Sequence, residues 1–401
     1  MRKKKLPPNI RQKANGIYEA RKTINGQTIC LSNADLSQLI ADFEQAKKEA
    51  EYSINVHASD ITLDEWFEEW FSTYKVPVIK ESSVYPMKLK YTGTFGAKIG
   101  TMKLREIRNI HIQKALKELK EDGKAASSLK EAVSRLRECL ESAKNNQIIA
   151  VNPCFDIVVP WEFKPVYRRF LSVEEQNRFL EKARTEYSWY YPMLMVMFLT
   201  GMRVGEVGGL RWEDIDFKEK KIHIKRSMYC QYENGNKIMR MSTTKTINSV
   251  REIPFLGNVE EMLQQQKKMQ NQVKKSLGNR WRSDDGDMYD LVFTTTMGSP
   301  ATRYIVEGVI NKIVKAINTE ENFNSVKENR VPQLMEPVHP HAIRRTFCTR
   351  CFEADMNPKV VQKLMGHATY STTIDIYTDV MKDKMDYETE KFRLGYEAVA
   401  K

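Results

Sequence analysis

Residues 339–378 read HPHAIRRTFCTRCFEADMNPKVVQKLMGHATYSTTIDIYT, and the placement of basic residues in this stretch governs how the rest of the chain is read. Pro340 suits the first position of a helix, where its missing N–H costs nothing and its φ is already helical. His341 and Arg344 then share one helix face by the i,i+3 rule. Both fall near the first turn, where free backbone N–H groups and the helix dipole favour an anion. Three of the chain's six histidines, His339, His341 and His367, lie in this stretch. A single helical histidine is more often an ordinary core or surface residue, so the density carries the weight. Tyr377 stands ten residues beyond His367, one of 17 tyrosines in the chain. The stretch also holds a zinc-like set, His339-x-His341 with Cys348-x-x-Cys351. If residues 341–351 form one helix, His341 and Cys348 are about 10.5 Å apart along the axis. Zinc ligands must meet within roughly 2.0–2.3 Å of one ion. No metal is expected here, and the cysteines read as helix packing.

Two further segments carry chemistry. In Thr200-Gly-Met-Arg203-Val-Gly-Glu206, Thr200 reads as a helix cap with Arg203 in the first turn behind it. The plain alternative is an i,i+3 ion pair of Arg203 with Glu206 on an exposed helix; the other is that Glu206 orients Arg203 or an adjacent loop. In Thr244-Lys245-Thr246, with Arg251 downstream, Lys245 falls in a turn between two expected strands. Exposed loop lysines are commonplace, so Lys245 means little alone. Arg203 and Arg344 are always-charged planar forks that match phosphate oxygens.

Taken in this order and spacing, these motifs resemble the tyrosine recombinase family, most closely the integrases of conjugative transposons and lambda-like phages. The resemblance covers nearly the whole chain. It implies a nucleophilic role for Tyr377, with Tyr370, Tyr387 and Tyr396 as weaker competitors. It also implies that His341 assists proton transfer at the tyrosine, that His367 hydrogen-bonds a non-bridging oxygen, and that Lys245 is the general acid for the 5′-oxygen. Arg345 stands where the family often has histidine, and so does Asp379, two residues after Tyr377; neither belongs to the essential set. The chemistry is self-sufficient. A tyrosyl phosphate ester stores the bond energy, cations stabilise the transition-state oxygens, and no cofactor or ATP is required.

Outward from this core, the expected fold class is multidomain α+β. Residues 1–56 read as a three-stranded antiparallel sheet (about Asn9–Lys13, Ile17–Ile24 and Gln27–Leu31) turned at Asn15-Gly16 and Asn25-Gly26, the type I′ hairpin signal. A helix from about Ala34 to Glu49 covers one side through Leu36, Leu39, Ile40 and Phe43. The open side, with Arg11, Lys13, Arg21 and Lys22 nearby, is a candidate DNA-groove surface, and a solubilising basic tail is the plainer reading. Residues 57–165 read as an α-helical bundle with helices from Thr62 or Asp60 as cap, at Ile110–Leu119 and at Leu129–Ala143. Lys88, Lys90, Lys98 and Lys103 give it a positive rim. Pro153, Pro160 and Pro165 mark the linker into residues 166–401, the catalytic domain. There Ser172-Val-Glu-Glu175 is a capping box, and Lys221–Gln231, Lys237–Thr243 and Val250–Pro254 form a small antiparallel sheet.

A net charge of +12 and a pI near 9.2 favour a polyanionic partner. The most apolar stretch, Tyr190–Leu199, falls short of the ~20 residues a membrane span needs. The N-terminus has a basic run but no apolar segment behind it, so no signal peptide is expected. Six scattered cysteines suit a reducing cytoplasm. The resemblance implies double-stranded DNA as partner, with core-type sites held in a C-shaped clamp by the two larger domains and arm-type sites held by the N-terminal sheet. It implies a homotetramer on DNA, with Met381–Lys401 docking on a neighbour, and an excisionase and a host DNA-bending protein as candidate accessory partners. The expected setting is the cytoplasm, at the nucleoid, in a bacterial or phage-derived system. Two rivals are a type IB topoisomerase, which the separate N-terminal sheet argues against, and a catalytically silent DNA-binding regulator, which the complete residue set argues against. A metal-dependent nuclease would need clustered carboxylates, which the sequence lacks.

Overall fold

The computed structural model describes residues 6–24, 27–52, 60–160, 169–233, 236–243, 250–282, 288–371, 373–376, 378 and 389. Lys245, Tyr377, Asp379, Tyr387 and Tyr396, the segment 381–388, residues 390–401 and the expected junction at 56/57 lie outside them. The chain divides into two compact units, Met1–Lys164 and Pro165–Lys401. Among the described residues no helix is long and apolar enough to cross a membrane.

The first unit opens with β1 (Ile10–Gln12), β2 (Tyr18–Ile24) and β3 (Gln27–Asn33) in an antiparallel sheet of order β1-β2-β3, followed by α1 (Leu36–Tyr52). Ala20 and Ile29 on the sheet meet Leu39 and Phe43 of α1 in one apolar cluster. The β1–β2 turn differs from expectation. Gly16 has φ +82°, but Asn15 is not at positive φ, and Gly16 N–H donates to the Lys13 carbonyl. A longer loop with glycine alone at the left-handed position replaces the type I′ turn, since only one residue there has to bear the strained φ.

Strand alternation also divides the expected basic set. Arg11 pairs opposite Glu19, and Arg21 opposite Cys30, on the outer face. Lys22 has the parity of Ala20 and Ile24, the face covered by α1, so it does not join them. Arg11 and Lys13 both hold the shielded Glu19 carboxylate at 2.6 Å.

The same unit contains a helical array: α2 (Leu63–Trp70), α3 (Glu81–Tyr91), the single turn α4 (Ala97–Ile99), α5 (Asn109–Glu121) and α6 (Ala126–Asn145). Thr62 caps α2 in a full capping box with Glu65. Leu63, Trp66, Phe67 and Trp70 at helical spacing meet Leu116, Leu129, Val133, Leu136 and Leu140 in the core. The Trp66 indole N–H donates to the Cys139 carbonyl at 3.0 Å, so its one polar atom is satisfied inside. The lysine rim is ion-paired: Lys88 to Glu68, Lys90 to Glu131, Lys98 to Glu118 and Asp122, and Lys103 to Asp60. Such exposed pairs are weak, so the lysines can exchange partners readily.

The second unit carries α7 (Val173–Glu186), α8 (Tyr191–Thr200), α9 (Val204–Gly208), α10 (Val259–Leu277), α11 (Arg303–Lys327), α12 (Pro340–Glu353) and α13 (Pro358–Met365). Its β elements depart from the single expected sheet. The run 221–231 breaks at Lys225: β5 (Lys221–Ile224) joins β4 (Ile215–Asp216) and β8 (Arg251–Pro254), while β6 (Arg226–Glu233) pairs only with β7 (Asn236–Thr243). The buried Asp214 carboxylate sits at this break and takes Lys225 and Arg226 together. The chain is turned by that charge, and apolar alternation alone does not register it.

Candidate active site

Two helix C-termini build the floor of the site. α8 ends at Thr200, whose hydroxyl donates back to the Val196 carbonyl, and Gly201 follows at φ +60°. Thr200 therefore closes one helix and does not cap the next. Arg203 is itself the N-cap of α9, one position outside the helix expected to contain it. α13 ends in the same way at Gly366, φ +62°. Both glycines hold the left-handed conformation that ends a helix and turns its last carbonyls outward. A Cβ at Gly201 would run into the Phe347 ring and lie 2.8 Å from Met365 Sδ.

Three arginines from three elements converge on three successive carbonyls of the α13 terminus. Arg251 of β8 donates through Nε to Leu364 O at 2.7 Å. Arg344 of α12 donates through Nη2 to Met365 O at 2.5 Å and through Nη1 to Gly201 O at 2.5 Å. Arg203 donates through Nη2 to Gly366 O at 2.8 Å. The negative end of a helix dipole is a natural seat for cations, and three guanidinium groups occupy this one.

One acid joins two of them. Glu206 receives Arg251 on both oxygens, at 3.0 and 2.9 Å, and Arg203 through Nη1 at 2.9 Å and the backbone N–H at 2.8 Å. The Glu206 side chain is 3% exposed. Its burial works to raise the carboxyl pKa, but the Arg251 hydrogen bonds and the two guanidinium charges outweigh burial and bring it to about 2. Arg344 is 2% exposed. Burial first, then the like charge of Arg203, lower its pKa to about 9, still high enough to keep it charged at neutral pH. Arg203 is the accessible member, with its side chain 38% exposed.

The histidines line the same place. His367 follows Gly366 and shares a 2.9 Å hydrogen bond between Nδ1 and Thr373 Oγ1. Burial, then Arg344 and Arg203, lower its pKa to about 3. His341 lies in the first turn of α12 and is exposed as a residue. Partial desolvation, followed by the charges of Arg345 and Arg344, lowers its pKa to about 4. Both rings are therefore neutral at pH 7. His339 caps α12, with Nδ1 accepting from Ala342 N–H at 3.0 Å. Cys348 and Cys351 are buried with Phe347, Phe352 and Val361, and burial raises both thiols to about 12. Among the described residues no group of histidines, cysteines and carboxylates is disposed to hold a metal.

Arg203, Arg344, His341 and His367 are thus brought into one neighbourhood. Tyr377 lies outside the described residues, but residues just before it are held: the backbone at 373–376 is helical, Thr373 is fully buried and Ile376 packs on the Phe347 cluster. The competitor Tyr370 sits 4.2 Å, ring centroid to Nζ, from Lys359. Sequence reading noted Arg251 but gave it no role, because nothing in local spacing ties it to Glu206, 45 positions away.

A cleft of about 630 Å³ opens beside His367, bounded in part by Lys221, Arg251, Lys359 and Lys363, a basic border suited to a polyanion.

Comparisons with known proteins place the chain in a family. The phage integrase family profile matches residues 169–384, and the phage integrase N-terminal SAM-like domain matches residues 62–120. A tyrosine recombinase XerC-like protein of Caldanaerobacter subterraneus subsp. tengcongensis is 28% identical over 84% of this chain and 85% of its own length. The transposase of transposon Tn916 from Enterococcus faecalis is 26% identical over 73% of this chain and 68% of its own. Among solved structures, the Tn1549 transposon integrase bound to a circular-intermediate DNA aligns over 82% of this chain and 99% of its own, with TM-score 0.63 and 21% identity. The lambda integrase tetramer on a Holliday junction aligns over 94% and 97%, with TM-score 0.55 and 19% identity.

Proposed function

This chain belongs to the phage integrase family, and on that premise we propose how its residues divide the work of recombination. It is a tyrosine recombinase of the conjugative-transposon integrase type, an enzyme of site-specific recombination that binds DNA. The topoisomerase and silent-regulator readings are not favoured.

In the proposed reaction the Tyr377 oxygen attacks the scissile phosphorus. The P–O(Tyr) bond forms as the P–O5′ bond breaks, leaving a 3′-phosphotyrosine and a free 5′-hydroxyl. Attack by a 5′-hydroxyl of the partner strand reverses these bonds and rejoins DNA. Lys245 gives the proton to the departing 5′-oxygen. His341 assists proton transfer from the tyrosine. His367 Nδ1 and Thr373 Oγ1 share a hydrogen bond; with Thr373 as the donor, the ring proton stands on Nε2 and serves a non-bridging oxygen. Arg203 and Arg344 neutralise the charge that builds on those oxygens.

The division of the chain follows: residues 1–56 bind arm-type DNA, with Arg11, Lys13 and Arg21 on the outer sheet face. Residues 57–165 bind core DNA, with Lys88 and Lys90 at its rim, and residues 166–401 hold the chemistry. A homotetramer on DNA is supported by the lambda integrase assembly on a Holliday junction. An excisionase and a host DNA-bending protein would set the direction of the reaction, which integrates and excises a mobile element.

The observation that carries the reading is the convergence of three arginines on the carbonyls just ahead of His367, ten residues before Tyr377. Covalent capture tests it. The protein is incubated with nicked duplexes of randomised core sequence, denatured, and the DNA that stays attached is recovered. Wild type is expected to yield an adduct and Tyr377→Phe none, with equal DNA binding. An adduct from Tyr377→Phe would move the nucleophile to another tyrosine.

A further inference from the structure

We propose that Arg251 is a positioning residue for strand cleavage: it takes up the charge of Glu206 so that the Arg203 guanidinium stays available to the scissile phosphate. The proposal rests on the recombinase reading above and adds a residue to it.

The charge balance is local. Glu206 is a single negative charge set between two guanidinium groups, with its side chain and that of Arg251 each 3% exposed. Arg251 bridges both carboxylate oxygens, the two-point geometry that only a planar fork provides. Arg203 reaches the same carboxylate through one Nη and spends its other Nη on Gly366 O. A carboxylate this buried must be paired, because an uncompensated charge in a desolvated site is expensive. With Arg251 present, that requirement is met by a guanidinium that is 3% exposed and already committed to both Glu206 oxygens. Without Arg251, Arg203 is the remaining ionic partner of Glu206 among the described residues. It would close on the carboxylate, and the one accessible positive charge of the cluster would be cancelled before a phosphate arrived.

A second contact works in the same direction. Arg251 Nε holds Leu364 O, and its Cδ and Nη1 lie 3.1 Å from where a Cβ of Gly366 would stand. Arg251 therefore fills the space behind the turn whose last carbonyl orients Arg203. A lysine could supply the charge but could not bridge both Glu206 oxygens and reach Leu364 O as well.

The experiment uses the full chain and the duplex recovered by covalent capture, with single-turnover cleavage and equilibrium DNA binding measured separately. Arg251→Gln should slow cleavage on the order of 100-fold, the loss typical when one donor to a transition-state oxygen is misplaced, and leave binding unchanged. Arg251→Gln combined with Glu206→Gln should recover at least about tenfold over the single variant, because no carboxylate then claims Arg203. On a duplex with a methylphosphonate at the scissile position, which carries one charge fewer, the Arg251→Gln defect should shrink to about tenfold or less. The double variant removes both charges of a buried pair, the change such pairs tolerate best, so it reports even if Arg251→Gln fails to fold. A folded double variant that cleaves no faster than about one hundredth of wild type overturns the proposal. So does a wild-type rate for Arg251→Gln, or an undiminished defect on the methylphosphonate. Failure of wild type to capture any DNA would instead sink the recombinase reading itself.

Discussion

Acidification should unfold the catalytic unit through His367, and the size of the effect follows from its surroundings. The ring is held neutral with a pKa near 3 in the folded chain, against an ordinary 6.5 once unfolded, because burial and then Arg344 and Arg203 oppose its charge. The unfolded chain therefore binds more protons between those values, and stability falls as the pH drops below 6.5. At pH 4.5 the unfolded ring is almost fully protonated and the folded ring is not. The loss relative to pH 7.5 is on the order of 3 kcal/mol. Glu206 works in the same direction, since its depressed pKa stabilises above about 4.5, but at pH 4.5 it has lost only a small part of that stabilisation. The assay is urea unfolding at both pH values, read by pulsed hydrogen exchange in peptides spanning residues 340–353 so that only the unit carrying the site is scored. His367→Gln removes the titrating group. It should lose on the order of 3 kcal/mol less than wild type between the two pH values. Equal losses in both proteins would refute the burial-and-charge account of His367.

Lys245→Ala should cleave slowly, and a substrate whose bridging 5′-oxygen is sulfur should largely restore the rate, because a thiolate leaves without a proton; no rescue would assign Lys245 to DNA positioning. Deleting residues 1–56 should spare cleavage of an isolated core duplex and abolish arm-site binding. Each phosphate that the shortened chain no longer neutralises should flatten the plot of log affinity against log salt by about 0.9, and loss of core cleavage by a folded fragment would contradict the domain assignment. Gly201→Ala should destabilise the catalytic unit by roughly 2–4 kcal/mol, from the left-handed φ and overpacking against Phe347 and Met365. It should also lower adduct formation, since Gly201 O holds Arg344; a wild-type urea midpoint would show that the turn relaxes freely.

Local patterning was enough for much of this protein. Thr62 with Glu65 and Ser172 with Glu175 announce helix starts because a capping box closes within four residues. The spacing of Leu63, Trp66, Phe67 and Trp70 announces an apolar helix face because the period of the helix is short. Pro340 places His341 and Arg344 on a helix start for the same reason. Where the controlling contact is distant, patterning fell short. The strand run 221–231 is continuous in β propensity, yet it divides between two sheets where Lys225 and Arg226 meet Asp214. Thr200 has the composition of an N-cap, but the αL turn at Gly201 makes it the end of α8, and Arg203 moves to the cap of α9. The order and spacing of the motifs, through the resemblance they carry, name Arg203, Arg344 and His367 as candidates. Their arrangement on the Leu364–Gly366 carbonyls, the pairing of Glu206 with Arg251 across 45 residues, and the neutral state of His367 exist only once α8, β8, α12 and α13 are packed together. Hydrogen bonds, desolvation and charge act through space, and separation along the chain does not encode them.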